Sequence, residues 1–300
     1  MLDHTDNSEI KHLQTLKDFM RWGASQFMRA DLHFGHGMAT ALDEAVYLVL
    51  RSLHLPVDTP EVYWDGRLTP VEKQIVVNII QKRIETRKPA AYLMREGWFA
   101  GLPFYINESV LVPRSPIAEL VQAQFQPWVD ADEVHDVLDL CTGCGCIGIA
   151  CAYAFPDAQV DLSDISDEAL EVARINIERH DVGARVNAVQ SDLFENLQNR
   201  KYDLIVSNPP YVDAEDMACL PDEFKHEPAM ALEAGVDGLD ITRRILAAAK
   251  NYLKPNGVLV VEVGNSQCHL QEAMPDVPFQ WVEFENGGHG VFVLFAEQLD

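Results

Sequence analysis

Beyond residue 134 the chain alternates short apolar runs with stretches of helical spacing, and this rhythm constrains the fold more than any other feature. The apolar runs span 134–140, 159–164, 185–190, 202–207, 257–263, 280–284 and 291–295. Helical spacing falls near 147–155, 167–180, 239–252 and 267–274. Strands separated by helices cannot form hairpins; they assemble into a parallel sheet. The last two runs are joined only by Glu285-Asn286-Gly287-Gly288-His289-Gly290. That connection is too short for a parallel crossover, so this pair must be antiparallel. The expectation is an α/β fold with a seven-stranded, mostly parallel, doubly wound sheet that ends in a C-terminal antiparallel hairpin.

The residues ahead of this region follow a different pattern. Ile10, Leu13, Leu16, Phe19 and Met20 recur at helical spacing, and a second helical stretch over 41–53 stops before Pro56. A third opens at Thr69-Pro70-Val71-Glu72. Threonine caps, proline suits the first helical position, and glutamate three residues after the cap completes a capping box. Ile75, Val76, Ile79, Ile80 and Ile84 then form an apolar face, with Pro89 just past its end. Two β-prone runs around a Gly/Pro turn over 97–106 predict a hairpin, and a helix is expected near 117–125. The expected organisation is a small helical domain over 1–95 that selects the substrate, a hairpin and linker helix over 96–125, and a catalytic domain over 126–300. A chain of 300 residues suits one larger and one smaller core.

Charge narrows the function. Asp and Glu total 47 against 23 Lys and Arg, for a net charge of −24. Such a surface repels phosphate backbones, which are bound through Lys and Arg. It suits a basic protein partner, although acidity also serves solubility alone. No run of apolar residues is long enough to span a membrane. The start, MLDHTDNSEIKHLQ, lacks the basic and apolar regions of a signal peptide. Four of the six cysteines crowd into Cys141–Cys151, unlike a secreted disulfide framework. The expectation is a cytoplasmic protein with free thiols.

The strand ending in Val137-Leu138-Asp139-Leu140 runs into Cys141-Thr142-Gly143-Cys144-Gly145-Cys146-Ile147-Gly148, a G-x-G-x-x-G loop between strand and helix. Alone, this suits NAD as well as S-adenosylmethionine. The charges separate them. Asp139 sits just before the loop, where a carboxylate opposes a pyrophosphate and favours an ammonium or sulfonium. No Lys or Arg occurs between Arg114 and Arg174, a stretch with twelve Asp or Glu. Asp164, ending the next strand, is placed to accept from both ribose hydroxyls, with Asp161 as the competing acid. Asp192 is a candidate acceptor for the adenine amino group, or an ordinary cap. The spacing Cys141-x-x-Cys144-x-Cys146 invites a metal reading, but no second pair completes a four-ligand site, so no metal is expected.

The fourth run, Tyr202–Ser207, ends in Asn208-Pro209-Pro210-Tyr211. Open α/β sheets bind ligands at such carboxyl ends. A planar NH₂ group is a weak nucleophile because its lone pair is delocalised. The Asn208 side-chain oxygen and the Pro209 carbonyl supply two acceptors for its two N–H groups. Proline holds that backbone still and removes a competing donor. Tyr211 offers a face to stack on the amide. The catalytic candidates are therefore Asn208, Pro209, Pro210 and Tyr211.

Asp139–Gly148 together with Asn208-Pro209-Pro210-Tyr211 resembles the protein-(glutamine-N5) methyltransferases over nearly the whole chain. The resemblance implies a class I S-adenosylmethionine-dependent fold behind an N-terminal helical domain. Leu111-Val112-Pro113-Arg114-Ser115-Pro116-Ile117-Ala118-Glu119-Leu120, His226-Glu227-Pro228 with Asp237-Gly238-Leu239, Glu262-Val263-Gly264-Asn265-Ser266, and Glu283-Phe284-Glu285-Asn286-Gly287-Gly288 resemble the branch acting on the third protein of the large ribosomal subunit. The release-factor branch reads Pro-Arg-Pro-Asp-Thr-Glu at the first of these. By this resemblance Asp139, Cys141, Thr142, Gly143, Cys144, Gly145, Asp164, Ile165, Asp192, Leu193 and Asn208 contact S-adenosylmethionine, and Asn208–Tyr211 hold the glutamine. Cys144 and Cys146 depart mildly from the family loop. Arg114, Glu119 and Glu227 are further candidates by resemblance. The implied partner is a basic ribosomal protein, with no direct nucleic acid contact. The alternatives are a release factor, or an exocyclic amine of a nucleic acid, where the same Asn-Pro-Pro-Tyr motif occurs.

Overall fold

The computed structural model describes residues 10–299. The acidic start read as no signal peptide falls largely on residues outside that range. The chain divides into two compact units: residues up to Arg95 with Pro221–His226, and Glu96–Leu220 with the chain from Glu227 onward. The hairpin and linker helix over 96–125 cluster with the second unit. The short segment 221–226, embedded in the stretch expected to be wholly catalytic, clusters with the first.

The helical unit is built on Leu16–Arg29, Ala41–Ser52, Pro70–Thr86 and the short helix Ala90–Met94. Its three long helices each open on a threonine. Thr15, Thr40 and Thr69 accept from the backbone N–H groups of Asp18, Asp43 and Glu72. The Asp18 and Glu72 carboxylates reciprocate, so the capping box at Thr69 has a twin at Thr15. That twin starts the helix at Leu16, later than the spacing from Ile10 suggests. The apolar faces meet in a core including Phe19, Phe27, Leu48, Val76 and Ile80. Arg83 is fully buried there, paired with Glu44, and Arg87 Nη2 lies 2.8 Å from Glu223 of the 221–226 segment. Buried charges persist only when paired in this way.

The second unit carries the sheet. Its strands are β3 (Asp136–Leu140), β4 (Gln159–Asp164), β5 (Val186–Gln190), β6 (Tyr202–Ser207), β7 (Leu253–Glu262), β8 (Gln280–Trp281) and β9 (Val291–Phe295), in the order β5-β4-β3-β6-β7-β9-β8. β5 through β7 pair in parallel, and β9 runs antiparallel to both β7 and β8. The short final connection predicted that reversal. β1 (Glu96–Phe99) and β2 (Leu102–Tyr105) form the separate hairpin. Among the strands, the ends differ from expectation: β8 is shorter, and β7 begins at Leu253, where its pairing with β6 shifts register. β3 and β6 are buried along nearly their whole length, as in sheets covered on both faces. Chain order reverses between these two strands, and such a switch point opens a crevice at their carboxyl ends.

Candidate active site

Beyond β3 the chain turns through backbone conformations that few side chains accept. Cys141, Gly143 and Gly145 have φ of 57°, 56° and 84°. Glycine adopts this left-handed region at no steric cost, and cysteine does not. At Gly148 a Cβ would lie 2.1 Å from Leu162 Cδ2 and 3.0 Å from Asp139 Cβ, so helix Cys146–Ala154 rests almost directly on the strands. Asp139 is fully buried beneath the loop. Its Oδ2 accepts from Thr142 Oγ1 at 2.5 Å and from Gly148 N at 2.8 Å. Desolvation pushes its carboxyl up to about 7, against the pull of those hydrogen bonds. Asp139 thus braces the loop from below.

A cavity of about 670 Å³ opens at the carboxyl ends of the strands, a size typical of ligand sites. Cys141, Thr142, Gly143 and Cys144 line it, with Asp164 and Ile165 past β4, Asp192 and Leu193 past β5, and Asn208 and Pro210 past β6. Ten of the predicted site residues thus share one cavity. Asp139, Gly145, Pro209 and Tyr211 are not among its walls. Gly145 faces inward, toward Leu162, Ile149 and Ala173.

The competing acids are now distinguishable. Asp164 Oδ2 accepts from Gly143 N and its Oδ1 from Ser166 N, both at 2.9 Å, so the carboxylate is held rigidly at the cavity wall. Burial raises its pKa, and the backbone hydrogen bonds oppose the rise. Asp161 does not line the cavity; it accepts from Tyr202 Oη at 2.8 Å and pairs with Arg200. Asp192 lines the cavity and pairs with Arg244 Nη2 at 2.8 Å. Ser207 Oγ, donating to the Leu140 carbonyl at 2.8 Å, ties the end of β6 to that of β3 just before Asn208.

The candidates named by resemblance separate too. Arg114 lines the cavity and grips the buried Glu227 carboxylate through Nη1 at 2.6 Å and Nη2 at 2.8 Å. Glu227 also accepts from Val112 N at 3.0 Å. Glu119 accepts from the backbone N–H groups of Glu285 and Asn286 at 2.9 and 2.8 Å, which makes it a brace for the final turn.

Sequence reasoning missed Asn176. It is fully buried midway along helix Asp167–Arg179. Its Nδ2 donates to the carbonyls of Tyr105 at 2.9 Å and Cys144 at 2.8 Å, and its Oδ1 accepts from Tyr105 N at 2.7 Å. One side chain therefore staples the glycine loop to hairpin strand β2. A polar residue on the apolar face of an amphipathic helix is the only local sign of it.

The cavity's chemistry fits a cationic nucleoside. Its titratable walls include Asp164, Glu168, Asp192, Glu233 and Asp240, with no lysine. Both arginines there, Arg114 and Arg244, are already held by carboxylates. The open left-handed loop lets the backbone approach a ligand closely.

A family profile described as Methyltransferase small domain matches residues 125–235. The chain is 50% identical over 291 residues to the ribosomal protein uL3 glutamine methyltransferase of Francisella tularensis subsp. tularensis, covering 97% of this chain and 93% of that protein. The chain belongs to the uL3 glutamine methyltransferase family. The family's protein from Neisseria gonorrhoeae is 48% identical over 294 residues, covering 98% of each chain. The solved catalytic domain of hMettl16, in complex with MAT2A 3′UTR hairpin 6, superposes with a TM-score of 0.50 at 15% identity, over 76% of this chain and 81% of that one. The fold is that of class I S-adenosylmethionine-dependent methyltransferases. S-adenosylmethionine is therefore the cofactor, and the NAD alternative falls away. Among the described residues no helix is long and apolar enough to cross a membrane.

Proposed function

We propose that this chain transfers a methyl group from S-adenosylmethionine to the N5 side-chain amide nitrogen of a glutamine in ribosomal protein uL3, acting in the cytoplasm. The observation that carries the reading is the position of Asn208 and Pro210, at the end of β6, in the wall of the same cavity that the glycine loop lines. The cofactor supplies a methyl group on a sulfonium. Cys141, Thr142, Gly143, Cys144, Ile165 and Leu193 would enclose it, Asp164 would hold its ribose hydroxyls, and Asp192 would accept from its adenine amino group. Asp139 and Gly145 contribute by shaping the loop.

The Asn208 side-chain oxygen and the Pro209 carbonyl accept from the two N–H groups of the glutamine amide. This turns the nitrogen lone pair toward the methyl group and favours pyramidal nitrogen. Holding two reactants in attack geometry can supply about 7 kcal/mol or more of barrier lowering. No dedicated base is required, since methyl transfer leaves a cationic, N-protonated amide, a very strong acid that releases its proton to water. Tyr211 does not serve as one. Its hydroxyl donates to Glu262 Oε1 at 2.9 Å, and burial beside that carboxylate raises its pKa further.

The helical unit selects the partner, and the −24 charge of the chain draws a basic protein toward it. The same charge disfavours nucleic acid. Purified enzyme with labelled S-adenosylmethionine, offered uL3, a release factor and ribosomal RNA in parallel, tests the assignment. Label on a uL3 glutamine is expected. Label on the release factor alone would refute the substrate, and label on RNA would refute the amide chemistry.

A further inference from the structure

The run Glu262-Val263-Gly264-Asn265-Ser266 leaves the carboxyl end of β7, and the proposed reaction uses none of its residues. Three of its residues, Glu262, Gly264 and Ser266, meet Tyr211. Glu262 is buried, and its two oxygens are divided between two hydroxyls. Tyr211 Oη donates to Oε1 at 2.9 Å, and Ser115 Oγ donates to Oε2 at 2.5 Å. Two residues on, Gly264 has φ of +45°, and a Cβ there would stand 2.6 Å from Tyr211 Cε2 and 2.9 Å from Cζ. The aromatic ring therefore lies against bare backbone. Ser266 Oγ donates to the Tyr211 carbonyl at 2.8 Å. The chain turns at Gly238, where a Cβ would lie 2.3 Å from that same carbonyl oxygen. Gly264 is held in turn from the final hairpin. Val263 N donates to the Gly290 carbonyl at 2.7 Å, and a Cβ on Gly290 would lie 2.3 Å from the Gly264 oxygen.

We infer that Glu262 is a positioning residue for methyl transfer: with Ser115, Gly264 and Ser266 it forms a seat that fixes the hydroxyl, ring face and carbonyl of Tyr211. The inference rests on the reading of Asn208–Tyr211 as the amide clamp. Tyr211 follows Pro210 directly, so a fixed Tyr211 limits how far the Pro209 carbonyl can drift from the amide it is to receive. A carboxylate suits this task because it accepts from two hydroxyls at once. A glutamine side chain of the same shape offers one acceptor oxygen and an NH₂ that cannot accept. The seat acts on the geometry of the clamp.

The test is a double-mutant cycle with E262Q and Y211F on the full chain, with a spectroscopic arm. A hydrogen bond to a charged acceptor is worth about tenfold to a hundredfold in rate when it acts in the transition state. Each single variant is expected to lower kcat on uL3 by that factor, with the Kd for S-adenosylmethionine and the KM for uL3 within about twofold of wild type. The double variant is expected to be no slower than the slower single one, because both act on the same hydroxyl–carboxylate link, which E262Q strips of its charge and Y211F of its donor. Multiplying effects, or a loss carried by KM or cofactor Kd, would overturn the inference. In parallel, tyrosine isotope-labelled at Cζ reports the seat by NMR without any turnover. The resonance absent from Y211F should move in E262Q, and an unmoved signal would refute the seat whatever substrate the wild type methylates. A wild type that methylates no glutamine in uL3 would instead refute the proposed function, and the NMR arm would still decide the seat.

Discussion

Replacing Asn176 by alanine separates the loop-stapling argument from ordinary packing. The asparagine is fully buried and makes three hydrogen bonds to main-chain groups, two on Tyr105 and one on the Cys144 carbonyl. The truncation leaves the buried Cys144 carbonyl and the Tyr105 amide without those partners. Each stranded group costs about 1–3 kcal/mol, so Asn176→Ala should destabilise the second unit by about 2–6 kcal/mol. Urea unfolding followed through the tryptophans measures this as a fall in midpoint at unchanged slope. Because the Cys144 carbonyl belongs to the cofactor loop, calorimetry should also show weaker S-adenosylmethionine binding under conditions where the variant is folded. An Asn176→Ala protein within about 0.5 kcal/mol of wild type, with unchanged cofactor affinity, would refute the reasoning. Asn176→Asp should do no better, since it keeps an acceptor for Tyr105 N but loses both donors and buries a charge.

Other perturbations check the remaining parts of the site. Asp164→Ala should abolish measurable S-adenosylmethionine binding by calorimetry, while Asp161→Ala should leave it near wild type; equal losses would undo the distinction drawn from their hydrogen bonds. Asn208→Ala should lower kcat by about a hundredfold or more and change cofactor Kd little; retained turnover would refute the clamp. Asp139 has a folded pKa raised from the usual 3.8 to about 7, so the folded state binds the proton more tightly than the unfolded chain. Its contribution is fully present below 3.8 and is lost as pH rises through about 7. Asp139→Asn should therefore flatten the decline in stability across that window, as read by thermal melts in a pH series. An unchanged slope would show that Asp139 is already ionised under the loop. Arg114→Ala removes the guanidinium that grips the buried Glu227 carboxylate through two nitrogens and should cost about 3–5 kcal/mol, part of it recovered when Glu227→Gln is added; strict additivity would refute the pairing as the cause.

Much of this molecule was legible without coordinates, because the features concerned are local. The alternation beyond residue 134 specified the parallel sheet, and the short link over 285–290 specified the antiparallel ending. Thr69, Pro70 and Glu72 announced a helix start because a capping box is complete within four successive residues. Gly143, Gly145 and Asn208-Pro209-Pro210 stand at strand ends, where chain direction alone carries them to the same edge of the sheet. What the chain could not disclose in one dimension was pairing over distance. Asp161 and Asp164 both place a carboxylate on β4, and the approach of Tyr202 and Arg200 commits the first elsewhere. Asn176 meets Tyr105 and Cys144, and Glu262 meets Ser115 and Tyr211, across long separations that no local pattern encodes. Residues 221–226 cluster with the helical unit although their sequence neighbours belong to the other. Periodicity decides which side chains are buried, because burial follows from local geometry. Which buried polar groups satisfy one another is decided only when packing brings distant segments together.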